Sequence, residues 1–269
     1  MAVRSIGCIG CGNMGGGVLR GLLNVSGLEL AGHDHTREKV LAIRNGERGV
    51  AWAETPAELA RRSDIVILGV KPHQMEAMLR GIQPELDGSK VVISLAAAFP
   101  LEKIVAAVKG ACPCVRVMPS LPVTVQRGVF ALCFDDPALK EDQKQELLAL
   151  FEGMGKAVVL PEAQFAAFSS LVGCGPAFAC LFMEGLLNAA ITMGFKAPQA
   201  KELIAAMVEG TGRLALLDTA SLADIRVRVC SPAGTTIRGV NHMERCGVAG
   251  HVADAVLEAL RRDQEMAGK

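Results

Sequence analysis

From Ser5 to about residue 160 the chain alternates short apolar runs with longer stretches whose apolar positions recur every three or four residues. The short runs are Ser5–Ile9, Glu29–Gly32, Ile65–Val70 (IVILGV), Val91–Leu95 (VVISL), Val115–Met118 and one near 129–134. The most apolar of these suit parallel strands covered on both faces rather than strands with one face in water. Between them the spacing predicts helices over Asn13–Leu23, Arg37–Asn45 ending near Gly46, Ala57–Arg62, about 74–81, about 101–109 and 139–153. Repeated strand–helix–strand units predict an α/β fold, a Rossmann-type doubly wound parallel sheet.

After Pro161 the texture changes to long helical stretches, Phe178–Met193, Pro198–Leu217 and Val248–Met266, with few β-branched runs. The expected organisation is a dinucleotide-binding domain over 1–160 and an all-helical substrate-binding and dimerisation domain over 161–269. Segments such as CLFMEGLLNAAITM are apolar on most sides and demand burial in more than one direction, which predicts a homodimer or a higher homo-oligomer of dimers. The apolar stretch around Leu171–Met183 contains Gly and Pro and falls short of the roughly 18 residues of a membrane span. Ile6–Ile9 is broken by glycines before a secretory h-region can form. The expectation is a soluble, cytoplasmic protein with no membrane partner.

Charge narrows the partners. With 28 basic and 28 acidic residues the formal net charge is zero, and one Trp, no Tyr and nine Phe leave no base-stacking platform, so nucleic acid is not expected. The nine cysteines fit reduced thiols in a cytosolic protein. The pair Cys112-Pro113-Cys114 lacks zinc-ribbon spacing and no His cluster completes a site, so no metal is expected.

Chemistry first appears at Gly10-Cys11-Gly12-Asn13-Met14-Gly15, a G-x-G-x-x-G directly after a strand and opening a helix. Gly10 makes the turn, Gly12 lets backbone approach a pyrophosphate, Gly15 lets helix and strand pack, and the helix start supplies positive dipole. Asp34 stands where an acid holds the adenosine ribose of NADH, yet His33, His35, Arg37 and Lys39 surround it and could hold the 2′-phosphate of NADPH if Asp34 turns away. Both cofactors stay open. Further on, Val229–Ile237 is a small-residue loop running into a helix, with Ser231 or Thr235 as N-cap types and free N–H groups at 234–236. Such a start either binds a carboxylate or merely caps the helix.

Val229-Cys-Ser-Pro-Ala-Gly-Thr-Thr-Ile237, followed by Gly239 and by Met243-Glu244 before Gly247, resembles the V-x-S-P-G-G-T-T signature of pyrroline-5-carboxylate reductases. Val70-Lys71-Pro72 is similar to that family's VKP, Arg116–Pro122 (RVMPSLP) to its RVMPNTP, and Gly173–Ala177 (GCGPA) to its GSGPA, in the same order along nearly the whole chain. The resemblance implies reduction of the cyclic imine 1-pyrroline-5-carboxylate to L-proline with NADPH or NADH. It implies that Ser231, Gly234, Thr235 and Thr236 hold the substrate, with the Thr236 hydroxyl aimed at the imine nitrogen as the catalytic group. It also implies that Gly10 to Gly15, Asp34, His35, Val70, Lys71, Pro72, Ala96 and Ala97 bind the cofactor.

Several positions depart from the family's pattern. Ala233 replaces the first Gly of its signature, Cys174 its Ser, Pro56 an adenosine-side Asn, and Val227-Arg228 an acidic and Asn-type pair. Two other readings compete. A β-hydroxyacid-type dehydrogenase needs a helix presenting Lys and Asn, whereas Phe178–Met193 offers Glu184 and Asn188 but no Lys. A non-catalytic dinucleotide-binding regulator would have no need of Thr236.

Overall fold

A computed structural model describes residues 4–267. They form two compact units, one running to Cys174 and taking in the residues from Ala259 onward, the other Gly175–Glu258.

The first unit opens with β1 (Arg4–Ile9), α1 (Asn13–Leu22), β2 (Leu28–His33) and α2 (Arg37–Leu41). Three short strands follow, β3 (Arg44–Asn45), β4 (Arg48–Gly49) and β5 (Ala51–Trp52), then α3 (Pro56–Arg62), β6 (Ile65–Leu68) and α4 (Pro72–Ile82). The unit continues through β7 (Val91–Ser94), α5 (Leu101–Ala107), β8 (Cys114–Pro119), β9 (Gly128–Cys133), α6 (Glu141–Glu152), β10 (Gly155–Val159) and α7 (Phe165–Phe168). Eight strands make one sheet in the order β10-β9-β8-β7-β6-β1-β2-β5.

The wholly apolar strands are apolar because both faces are covered. In β6, Ile65 and Ile67 join the core beneath α1 and α6, while Val66 and Leu68 join the core beneath α3, α4 and α5. Phe130 of β9 and Phe151 of α6 meet inside the first core with ring centroids 5.2 Å apart. Most buried polar groups in these layers are satisfied locally, the Trp52 Nε1 and the Arg116 Nε being exceptions. The Lys90 ammonium donates to the carbonyls of Arg61 and Ser63 at the end of α3, at 3.0 and 2.9 Å. The buried Arg116 guanidinium donates to Glu162 at 2.7 Å and lies over the Phe165 ring.

The expected strands and helices are present, with several differences, among them the unanticipated edge strand β5, which pairs in parallel with β2. The sheet is not parallel throughout, because β9 runs antiparallel to β8 and carries β10 parallel to itself. β10 escaped the sequence reading because its apolar run, Ala157, Val158 and Val159, is short and lies on a half-covered edge strand. The helix expected over Arg37–Asn45 stops at Leu41, and β3 and β4 form a hairpin around Gly46 at φ +59°. Asn45-Gly46 is a strong hairpin signal that the reading took for a helix end.

In the second unit α8 (Gly175–Thr192), α9 (Ala197–Leu217), α10 (Leu222–Val229), α11 (Thr235–Arg245) and the part of α12 (Val248–Ala267) up to Glu258 follow one another, with α8 packed on α9. The Ser221 hydroxyl and Asp224 carboxylate exchange hydrogen bonds with each other's backbone N–H groups and fix the start of α10. Few of this unit's side chains are buried within one chain. Leu181, Phe182, Leu203, Met207, Leu216 and Leu217 all stand exposed.

The short apolar stretch near Leu171 proves to belong to a continuous helical run. Glu162–Thr192 passes through a π turn at Ser169–Gly173, contains an 18-residue window of mean hydropathy 1.7, and is long and apolar enough to cross a membrane by length and composition. The expectation that it falls short is therefore corrected, although interface helices of soluble proteins have the same composition. Truncating Phe130 to Ala removes a fully buried ring packed against Phe151 in the first core. We expect a loss of about 3–5 kcal/mol, read as a lower denaturation midpoint at constant slope in urea.

Candidate functional site: a dinucleotide cleft and a carboxylate loop

Strand order reverses between β1 and β6: the chain moves outward through β2 on one side and through β7 and β8 on the other. Ile9 and Leu68 are register partners there, and the Gly69 N–H donates to the Ile9 carbonyl at 2.8 Å. This is the switch point at which doubly wound sheets bind ligands. Gly10 turns away from β1 at φ +91°, and a Cβ on it would stand 2.8 Å from the carbonyl carbon of Gly69. A Cβ on Gly15 would stand 2.0 Å from the Gly10 oxygen. Gly12 is different, with no atom within 4 Å of where its Cβ would be.

Gly12 is also the N-cap of α1, with no side chain capping the helix, so first-turn N–H groups face that open space. A cleft of about 280 Å³ extends from there past Asp34, His35 and Lys39 to Val70 and Lys71. Its bare backbone donors, helix start and empty Gly12 cradle fit the pyrophosphate of a dinucleotide.

Asp34 does not face the cleft unengaged. Its Oδ2 accepts the Cys11 N–H at 2.9 Å, its Oδ1 accepts the Thr36 N–H at 3.1 Å, and Lys39 stands 3.6 Å from Oδ1. Partial burial pushes this carboxyl up, but the N–H groups of Thr36 and Cys11 and the Lys39 ammonium outweigh it and hold it below the ordinary aspartate range. Beneath the loop lie Cys8 and Cys11, three residues apart and buried. The Cys11 side chain and burial push the Cys8 thiol up, which keeps it protonated.

Gly10, Gly12, Asp34, His35, Val70 and Lys71 thus gather around one cleft. Cys11 lies under it, Asn13, Met14 and Gly15 form the first turn of α1, and Pro72 opens α4 with Lys71 as N-cap. Ala96 and Ala97 follow β7 and are not among the residues lining this cleft. Thr36, Gly69, Gln74 and Met78 line it as well and were not anticipated. The spacing of Gln74 and Met78 on α4 was the available signal, since residues four apart share a helix face.

The second group of expected residues sits together in the loop before α11. The N-cap of α11 is Gly234, not Ser231 or Thr235, and no side chain caps it. The Gly234 N–H is taken by the Ser231 carbonyl at 3.0 Å, so the free donors are the first-turn amides of Thr235, Thr236 and Ile237 rather than those at 234–236. A Cβ on Gly234 would stand 2.2 Å from the Ser231 hydroxyl, so only glycine fits while that hydroxyl keeps its place. Ser231, Thr235 and Thr236 are exposed in the single chain. An uncapped start on an eleven-residue helix is suited to a carboxylate.

These features define a class, a Rossmann-type dinucleotide oxidoreductase with a C-terminal helical unit. The model of pyrroline-5-carboxylate reductase dimerisation matches residues 162–266, and that of NADP oxidoreductase, coenzyme F420-dependent, matches residues 5–98. Pyrroline-5-carboxylate reductase of Methanosarcina acetivorans is 32% identical over the whole of both chains. A solved pyrroline-5-carboxylate reductase from Coxiella burnetii is 27% identical, covers 98% of each chain and superposes with a TM-score of 0.87. The Plasmodium falciparum pyrroline carboxylate reductase with NADP bound, at 24% identity over 99% of each chain, has the same fold with a TM-score of 0.87. The chain belongs to the pyrroline-5-carboxylate reductase family.

Asp34→Asn places an amide against two backbone donors, and we expect a loss of about 1–3 kcal/mol at neutral pH. Because the folded-state pKa lies below that of a free aspartate, the stabilisation is complete above about pH 4 and is lost as pH falls through the folded value. The gap between wild type and variant in urea unfolding should therefore narrow below about pH 4.

Proposed function

We propose that this chain reduces 1-pyrroline-5-carboxylate to L-proline with NADPH or NADH, the last step of proline biosynthesis. The observation that carries this reading is the uncapped start of α11, where amide donors stand beside two threonine hydroxyls in a loop bearing the family's signature. The switch-point cleft holds the dinucleotide through the Gly10–Gly15 loop, Asp34, His35 and the Val70-Lys71-Pro72 turn, with Ala96 and Ala97 against the nicotinamide. When bound, the reduced cofactor supplies a hydride to C5 of the imine.

The chain's own residues do the rest. The amides of Thr235 and Thr236, with Gly234 shaping the turn and the Ser231 hydroxyl beside them, fix the substrate carboxylate. Holding the ring this way restricts it to orientations in which C5 can react, and that restriction supplies much of the rate. As the imine becomes an amine its nitrogen gains basicity, and the Thr236 hydroxyl donates to it as that charge distribution develops. No stronger acid is required, since a protonated pyrroline is already electrophilic.

Apolar α8 and α9 faces exposed in one chain, and the match to a dimerisation family, support a homodimer or a homo-oligomer of dimers. Zero net charge and likeness to soluble reductases support a cytoplasmic enzyme that uses neither nucleic acid nor membrane.

The test is oxidation of NADPH and of NADH followed at the reduced-nicotinamide band with pyrroline-5-carboxylate. Imine-dependent oxidation is expected. Saturable dinucleotide binding without turnover would instead favour the regulator. Thr236→Ala should lower kcat on the order of 10²-fold while leaving dinucleotide affinity unchanged. Unaltered kcat removes Thr236 from the chemistry.

A further inference from the structure

The turn between β7 and α5, residues 95–100, is tied down at both ends by groups outside the cofactor cleft. At its root the buried Ser94 hydroxyl accepts the Ala96 N–H at 3.3 Å, and the Leu95 N–H donates to the Leu68 carbonyl at 3.0 Å. Leu68 leads directly into Gly69 and Val70 of the cleft, and Val70 and Ala97 pack against the same hydrophobic cluster. The turn therefore runs beside the cleft. Within it Ala98 adopts φ +54°, a left-handed conformation that a residue with a Cβ rarely holds unless its surroundings impose it.

At the exit of the turn the restraint comes from far along the chain. α5 begins after Pro100, whose side chain offers nothing to the free first-turn amides. Glu162 supplies the acceptor instead: its Oε1 takes the Leu101 N–H at 2.6 Å and the Arg116 Nη1 at 2.7 Å. Arg116 is itself buried, lies 4.9 Å over the Phe165 ring, and is the register partner of Ser94 across β7 and β8. The Glu162 N–H in turn donates to Asp135 at 2.9 Å. Neighbouring residues on two strands thus control the two ends of one turn, Ser94 directly and Arg116 through Glu162.

Resting on the proposed reading in which Ala96 and Ala97 lie against the nicotinamide, we propose that Glu162, aimed by Arg116, is a positioning residue that fixes the turn 95–100 as a rigid wall for the nicotinamide ring. A wall already in place costs no ordering when the ring arrives, and a ring that shifts carries the hydride away from C5. The adenosine half of the dinucleotide, held near Gly12 and Asp34, is indifferent to this carboxylate.

The test separates the two halves of the dinucleotide. Calorimetry compares NADPH with 2′-phospho-ADP-ribose, and NADH with ADP-ribose, so that each pair differs by the nicotinamide alone. The ratio of dissociation constants within a pair reports the hold on the ring with no imine present. Glu162→Ala should lower this ratio at least about threefold and kcat about tenfold, with affinity for the ADP-ribose member unchanged. Glu162→Gln keeps an oxygen for both donors and should restore most of the ratio. Because Glu162→Ala strands a buried guanidinium, Ala98→Gly serves as a second variant: it leaves the ion pair intact, frees the turn, and should lower the ratio in the same direction. A ratio of one in the wild type, a ratio unaltered in either folded variant, a loss shared equally by both members of a pair, or a Glu162→Gln protein no better than Glu162→Ala overturns the inference. A protein that shows these shifts but leaves the imine unreduced would sink the proposed reaction and leave the positioning role standing. Imine reduction with an unaltered ratio would do the reverse.

Discussion

The fold and the cofactor cleft depend on one close approach. Where β1 and β6 part company, the backbones of Gly10, Gly15 and Gly69 meet without side chains between them: a Cβ on Gly69 would stand 2.5 Å from the Gly10 oxygen and 3.1 Å from the Gly15 Cα. That contact lets α1 start directly above the strand ends, which aims its first amides at the space over Gly12. A methyl group at Gly10, Gly15 or Gly69 would press on backbone atoms, which cannot turn aside as a side-chain tip can. The sheet's reversal and the anion cradle are therefore two consequences of the same packing.

Carboxylates secure chain segments at both ends of the sheet's strands. Asp34 ties the dinucleotide loop to the end of β2, Asp64 accepts both the N–H and the hydroxyl of Ser5 at the start of β1, and Asp136 accepts the Cys114 N–H at the start of β8. Glu162 joins the Leu101 N–H to the Arg116 guanidinium. Each takes a donor that no strand partner supplies, and hydrogen bonds from charged groups are worth more than neutral ones in such places. Carboxylates that look like solvated charges in the sequence are thus parts of the frame that holds the sheet and its connections in place.

What was legible follows from how locally each feature is encoded. The run IVILGV announces a strand covered on both faces because each of its residues carries that information itself, and G-x-G-x-x-G announces the loop because the glycines are needed in place. β10 was not legible, since the edge pairing of Gly155–Val159 with β9 depends on a chain reversal set elsewhere. The role of Asp34 could not be read either. Its type and position are those of a ribose acid, and only the folded distances to Cys11 and Thr36 reveal that its oxygens are engaged. Likewise, the N-cap of α11 was misplaced by a few residues because Ser and Thr are preferred capping types, whereas here the close contact between Gly234 and Ser231 decides.

The loop before α11 shows how a departure from the family's pattern is accommodated. Ala233 occupies the left-handed region at φ +56°, where the family's signature has glycine, so this chain keeps the backbone path at a cost of about 1–2 kcal/mol. Such strain persists where surrounding structure over-determines the conformation. The Gly234 N–H bonded to the Ser231 carbonyl closes the turn, and α11 continues from it. Alanine also has fewer backbone states to lose than glycine. The substitution therefore trades an unstrained turn for a strained one, which the bonds closing the turn and the helix that follows must hold in place.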